Sequence, residues 1–358
     1  MRRVSPAPAL ASGWRRLVES TPGIVQISVT ALASWAFAHY VLGHPYPIIA
    51  AVVAITALGF VADTRPLRVL ETVAGMTLGI ALAELLLIAF GPGVVQYAVA
   101  LVLTLSVARF VSATPGFAIS AAVQCTLVMI MPAPDGGPFT RTIDALIGGA
   151  AALAATALIP RDAGRAAMRA GRRLIGEHAA VLDALADALA HGDAPAVEAV
   201  LERARTIDAA VESWRTAVDS GIAIARVSPF ARRRRFDLER QRGMLTAMDL
   251  ATRNLRVVAR RSAWAAREGI PKPELGDLVG RVGLVAGILA DSLDDVSLAA
   301  VARQSLSEIA KHLDPGRMLP AEAIAEQNVV HALRPYTVDL LQATGLGIDE
   351  ARGRLAPL

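Results

Sequence analysis

The chain changes its pattern near residue 160. Before that point apolar residues run in long blocks, read as six segments at about 24–42, 46–61, 69–90, 94–111, 117–131 and 142–159. Turn-forming stretches separate them: Gly43-His44-Pro45, residues 62–66, Gly91-Pro92-Gly93, Thr114-Pro115-Gly116 and the run from Pro132 to Pro138. Beyond residue 160 apolar side chains recur at the three- and four-residue spacing of one helix face. That spacing predicts helices near 161–190, 195–226, 232–267, 273–291, 293–313 and 319–344, with no strand pattern. The expected architecture is all-α: a six-helix transmembrane domain over 1–160, then a cytoplasmic helical bundle over 161–358.

Charge sharpens the division. Residues 1–160 hold eight Arg, no Lys and six acids, while the remaining 28 basic and 26 acidic residues lie beyond (36 − 8 and 32 − 6). A helix needs roughly 20 apolar residues to cross a bilayer, so the second and fifth segments are short for the task. Loop arginines set the orientation. With six crossings, Arg2, Arg3, Arg15, Arg16, Arg65, Arg68, Arg109 and the group from Arg161 to Arg173 share one side, and Arg141 stands opposite. Both termini are therefore expected in the cytoplasm, the host being an inner membrane. Trp35, Tyr40 and Tyr46 fall near the outer interface, where amphipathic rings are favoured. The net charge is only +4, and the basic and acidic residues of the second half nearly balance, so nucleic acid is not an expected partner. The single Cys125 excludes a disulfide framework or a cysteine-based metal site within one chain.

A motif recurs inside the membrane half. Arg68-x-x-Glu71-x-x-x-Gly75-x-x-x-Gly79 in the third segment matches Arg141-x-x-Asp144-x-x-x-Gly148-x-x-x-Ala152 at the sixth, 73 residues on. Three helices per copy is an odd number, so the copies face opposite ways across the membrane, as in many transporters. The same spacing has a structural reading. An Arg and an acid three apart can pair, and small residues four apart let helices approach closely.

These segments, with Ile159-Pro160 closing the second, resemble the fusaric acid resistance and aromatic acid exporter family. Six helices ahead of a long helical cytoplasmic region are also similar to plant aluminium-activated malate transporters. The resemblance covers about residues 20–165. It implies export or conduction of organic anions by a homodimer, because larger members carry two six-helix units in one chain.

Glu84 is the anomalous residue of the membrane half. It lies roughly 8 Å inside the outer boundary at 1.5 Å per residue, where an ionisable group costs about 2.5 kcal/mol or more. It reads either as a proton-coupling carboxylate or gate near Arg141, His39 and His44, or as a side chain snorkelling to the interface. Gln124 and Thr126, with Thr56, are candidates to line a pathway, and Arg65, Arg68 and Arg109 could draw anions to the inner mouth. Hydrogen bonding between helices and topology explain the same residues.

The second half offers no enzyme chemistry. Phosphate-binding glycine loops, His-x-x-x-His and Gly-x-Ser-x-Gly are absent, and His178, His191, His312 and His331 have no motif partner. Arg232 to Arg235 could meet anionic lipid heads or form a solvated helix start. No cofactor is expected. The expected function is transport of aromatic or carboxylic anions. The alternative is a membrane-anchored scaffold or sensor whose cytoplasmic helices bind a partner.

Overall fold

A computed structural model describes residues 6–59, 66–132, 137–158, 163–228 and 235–357. Arg65, Arg161 and three residues of the basic run, Arg232, Arg233 and Arg234, lie outside the described residues. Every regular element among the described residues is helical. The chain divides into two compact units, Met1–Arg161 with Ala223–Arg233, and Asp162–Ile222 with Arg234–Leu358.

The first unit holds α1 (Pro6–Tyr40), α2 (Ile48–Leu58), α3 (Pro66–Phe90), α4 (Val94–Val111), α5 (Pro115–Ile130) and α6 (Thr140–Leu158). Each break is local chemistry. Gly43 and Gly91 adopt positive φ just after α1 and α3, a conformation that costs glycine little. Pro115 opens α5 at its first turn, where the missing N–H would be unpaired anyway. Among the described residues four helices are long and apolar enough to cross a bilayer: Ser20–Tyr40 within α1, and α3, α4 and α6. The apolar helices α2 and α5 have 11 and 16 residues, or about 16 and 24 Å, against a hydrocarbon core of about 30 Å. Helix α1 starts much earlier than the apolar segment at 24–42, because helical geometry continues through the polar stretch before it.

Helix packing in this unit is exchanged. Helix α1 packs on α2 and α6, α4 packs on α5 and α3, α3 packs on α5, α6 packs on α2, and α3 and α6 meet each other. Small residues make the crossings close. A Cβ on Gly75 would stand 2.8 Å from the Phe117 carbonyl oxygen, and one on Gly79 would stand 2.1 Å from that of Ala121. A Cβ on Gly148 would stand 2.2 Å from the Ala50 carbonyl oxygen. On α4 the buried residues are Ala100, Thr104 and Ala108, again four apart. Only 17% of that helix is buried, and Val94, Val95, Val102 and Phe110 face outward. Such a surface suits lipid rather than water.

The second unit contains α7 (Ala163–His191), α8 (Ala194–Arg205), most of α9 (Asp208–Val227), α10 (Arg235–Ala265), α11 (Pro273–Asp291), α12 (Leu298–His312), α13 (Pro315–Met318), α14 (Ile324–Ala343) and α15 (Ile348–Arg352). The pairs α7–α11 and α10–α14 form its core. Three boundaries differ from the sequence expectation. The helix expected over 195–226 is two helices, because the Thr206 hydroxyl and N–H both close on the Arg203 carbonyl, at 2.8 and 3.1 Å. The helix expected from 293 starts at 298, after Asp295 accepts from the Ser297 N–H (3.0 Å) and hydroxyl (2.7 Å). The helix expected from 319 starts at 324, because Leu319 precedes a proline and is extended at φ −136°, ψ 147°. The short α13 and α15 were not expected from the sequence.

A buried polar chain crosses this core. His178 on α7 lies between the Tyr336 hydroxyl (3.1 Å from Nδ1) and Thr252 (2.9 Å from Nε2). Thr252 already donates its only hydroxyl hydrogen to the Met248 carbonyl, so it must accept from Nε2–H. Nδ1 then accepts from Tyr336. Burial pushes the imidazole down to about 3, which keeps it neutral as this bonding requires. One turn beyond Tyr336, burial pushes the Asp339 carboxyl up to about 6, opposed by the hydrogen bond from Asn254 (2.6 Å).

Two outcomes are expected. Gly79→Ala drives a methyl group into the Ala121 backbone and lowers stability by about 1–3 kcal/mol, whereas Gly116→Ala, with nothing within 4 Å, leaves the thermal midpoint unchanged. Asp339 holds its proton more tightly folded than unfolded, so its stabilising contribution is present at low pH and is lost as pH rises from about 4 to about 6. Asp339→Asn therefore raises the thermal midpoint at neutral pH and leaves it unaltered near the bottom of that window.

Candidate functional site

The polar groups of the first unit converge where the end of α3, the start of α6 and the turn between α1 and α2 meet. Glu84 on α3 is buried, with 4% of its surface exposed. Its Oε1 accepts the Arg141 backbone N–H at 3.1 Å. Its Oε2 accepts the Thr142 N–H at 3.1 Å and the Thr142 hydroxyl at 2.6 Å. Arg141 and Thr142 lie in the first turn of α6, whose leading N–H groups have no partner within the helix. Glu84 thus caps another helix, with its charge at the positive end of that helix's dipole.

The Arg141 side chain performs the reverse task. Its guanidinium donates to the carbonyls of Val128 (3.2 Å) and Pro132, in the last turn of α5 and just beyond it. Arg141 is also 4% exposed. One buried carboxylate satisfies a helix start and one buried guanidinium satisfies a helix end.

Asp144, one turn along α6, does not join Arg141 as its spacing suggested. Its Oδ1 lies 2.6 Å from His44 Nδ1. The His44 N–H donates to the Ala38 carbonyl at 3.1 Å, and the His44 carbonyl accepts from His39 Nδ1 at 2.9 Å. Trp35 stacks on His39 with ring centroids 4.8 Å apart. The turn that presents His44 is therefore fixed from α1.

Other candidate residues stand apart from this cluster. Gln124 is buried on α5. Its amide donates to the Met76 sulfur at 3.4 Å, and its Oε1 has no partner. The Thr126 hydroxyl donates to the Ala122 carbonyl at 2.9 Å, so at 3.1 Å it accepts from the Tyr97 hydroxyl of α4. Thr56 is exposed and bonds back to the Val52 carbonyl of its own helix. Arg109 is exposed and donates to the Ala113 carbonyl just past the end of α4 (2.7 Å). Arg68 is exposed and Glu71 half-buried near the other end of α3, while Gly75, Gly79, Gly148 and Ala152 are buried at helix crossings. Sequence reasoning missed Thr142 and the His44–Asp144 bond. The Thr142 contact spans 58 residues and carried no signal in the sequence. The His44 bond spans 100 residues and had none.

The apolar exterior of the first unit and its four span-length helices define a multi-pass membrane protein. Residues 32–155 match the sequence profile described as fusaric acid resistance protein-like. A Corynebacterium glutamicum protein, described as uncharacterized, is 31% identical over 349 residues, covering 93% of this chain and 88% of that protein. Proteins of Mycobacterium bovis and Mycobacterium tuberculosis named "Putative arylamide transporter" are 31% identical over 141 residues, covering 38% of this chain and 40% of theirs. The chain belongs to the fusaric acid resistance protein-like family.

Glu84→Ala leaves the two N–H groups and the Thr142 hydroxyl without their acceptor. It is expected to lower stability by about 1–3 kcal/mol. Glu84→Gln retains one carbonyl oxygen and is expected to lose less. Thermal midpoints of the purified proteins in one detergent check the order.

Proposed function

We infer that the chain is a transporter of organic anions, with aromatic or carboxylic solutes as its class. The observation that carries this reading is the buried cluster of Glu84, Arg141, Asp144 and His44. Charged groups inside a membrane unit are costly and commonly mark a substrate or ion route. Here two of them, Arg141 and Asp144, belong to the repeated motif. The family supports transport, and the name given to the mycobacterial relatives supports an aromatic solute.

In this reading all six helices of the first unit cross an inner membrane as two inverted triplets, with both termini and the second unit in the cytoplasm. The exchanged packing supports it. Swapping α1, α2 and α3 for α4, α5 and α6 turns α3-on-α5 into α6-on-α2, and α1-on-α6 into α4-on-α3. Glu84 acts as a gate residue, because it ties α3 of one triplet to α6 of the other at the interface where inverted repeats place their solute. Gln124, whose carbonyl oxygen is buried without a partner, lines the route with Thr126 of the same helix, while Thr56, Arg65, Arg68 and Arg109 serve its approaches. The functional unit is a homodimer and the chain is not an enzyme.

Purified protein in liposomes is expected to move members of a panel of aromatic and dicarboxylic acids, and Glu84→Gln to slow that flux. Failure to move any of the panel, with or without a pH gradient, removes the proposal. A cytoplasmic partner captured in the absence of flux favours a membrane-anchored scaffold.

A further inference from the structure

The buried cluster has an uneven set of charges. Glu84 and Asp144 are two carboxylates, and Arg141 is one permanent cation. Both oxygens of Glu84 accept hydrogen bonds from the start of α6, as a carboxylate can. Arg141 is held by the carbonyls of Val128 and Pro132. One more positive charge would bring the cluster to neutrality, and the group bonded directly to Asp144 can supply it.

We propose that His44 and Asp144 form the proton-binding site of this protein, and that a proton on His44 Nε2 latches the turn between α1 and α2 onto α6. A carboxylate only accepts, so His44 Nδ1 carries the hydrogen of the 2.6 Å bond. Nε2 is then the position that gains or loses a proton from water. With the proton, the four groups sum to zero. Without it, the cluster keeps one net negative charge at low dielectric, where an uncompensated charge is costly. Proton loss therefore loosens the bond between the turn and α6. The latch is closed on the acid side and opens as pH rises.

The neighbours support this assignment over Glu84. Helix α6 packs on α1, α2 and α3. From α1 the titratable groups at this end are His39, whose Nδ1–H is given to the His44 carbonyl, and Tyr40, whose ring meets that of His39 edge-on. The residues of α2, Ile48–Leu58, include no titratable side chain. From α3 it is Glu84, near enough to act electrostatically on Asp144. Arg68 and Glu71 lie at the far end of α3, more than 10 residues and about 20 Å away. Asp144 is 3% exposed and His44 is 14% exposed, so the histidine side of the pair is the one within reach of water.

The inference rests on the transport reading for its purpose, not for its test. A double-mutant cycle with His44→Gln and Asp144→Asn, read as thermal midpoints of the full-length protein in nanodiscs, measures their coupling at about pH 5.5 and about pH 8. The two substitutions are expected to be non-additive at the acid pH, with the coupling falling by half or more at the alkaline one. Glu84→Gln, which removes one anion from the cluster, is expected to lower the midpoint more at the acid pH than at the alkaline one. Coupling that is absent or independent of pH overturns the proposal. In liposomes that show pH-driven flux, Asp144→Asn is expected to abolish the dependence on pH, and retained dependence overturns the proposal. Protein that carries no solute yet keeps the acid-dependent coupling supports the proton site and counts against the transport reading alone.

Discussion

A backbone amide or carbonyl left unpaired in hydrocarbon costs several kcal/mol, and the first unit is organised around that cost. The start of α6 and the end of α5 are each capped by a side chain from elsewhere in the unit. Glu84 supplies the acceptors for the start of α6, and Arg141 supplies the donors for the end of α5. Each charge is tolerable because the helix end it meets has the opposite partial charge. Removing either would leave both a bare helix end and a lost ion. The position of α6 against α3, and so the frame that sets Asp144 before His44, follows from this exchange of caps.

Much of the fold was legible because lipid imposes a crude pattern. Long apolar blocks and glycine–proline turns located the helices of the membrane unit to within a few residues, except the polar extension of α1. The second unit obeyed a subtler pattern, and its errors fell where a side chain closes on nearby backbone, as at Thr206 and Asp295, or where a proline acts on the residue before it, as at Leu319. The motif residues were visible as a repeat, yet their partners were not. Spacing suggested that Arg141 and Asp144 would meet. Helix ends and a histidine from a distant turn outcompeted that local pairing, and a one-dimensional pattern does not reveal such partners.

The two units manage buried polarity differently. In the first, full charges are matched to helix ends. In the second, His178, Tyr336 and Thr252 form a neutral chain in which each hydrogen has one direction. Such a chain fixes α7, α10 and α14 in one register without needing a counter-ion. Asp339 is the exception there, a carboxyl that burial pushes up to about 6.

The caps also carry a consequence for biosynthesis. Glu84 is 58 residues upstream of Thr142, whose N–H and hydroxyl it accepts. At translation rates of about 5–20 residues per second, Glu84 is made about 3–12 s before its partner exists. During that interval α3 has neither α5 nor α6 to pack against, and its carboxylate has no helix start to cap. Helix α3 must therefore wait without these contacts until α5 and α6 are made. A nascent chain halted after α3 would expose this moment, which the finished protein conceals.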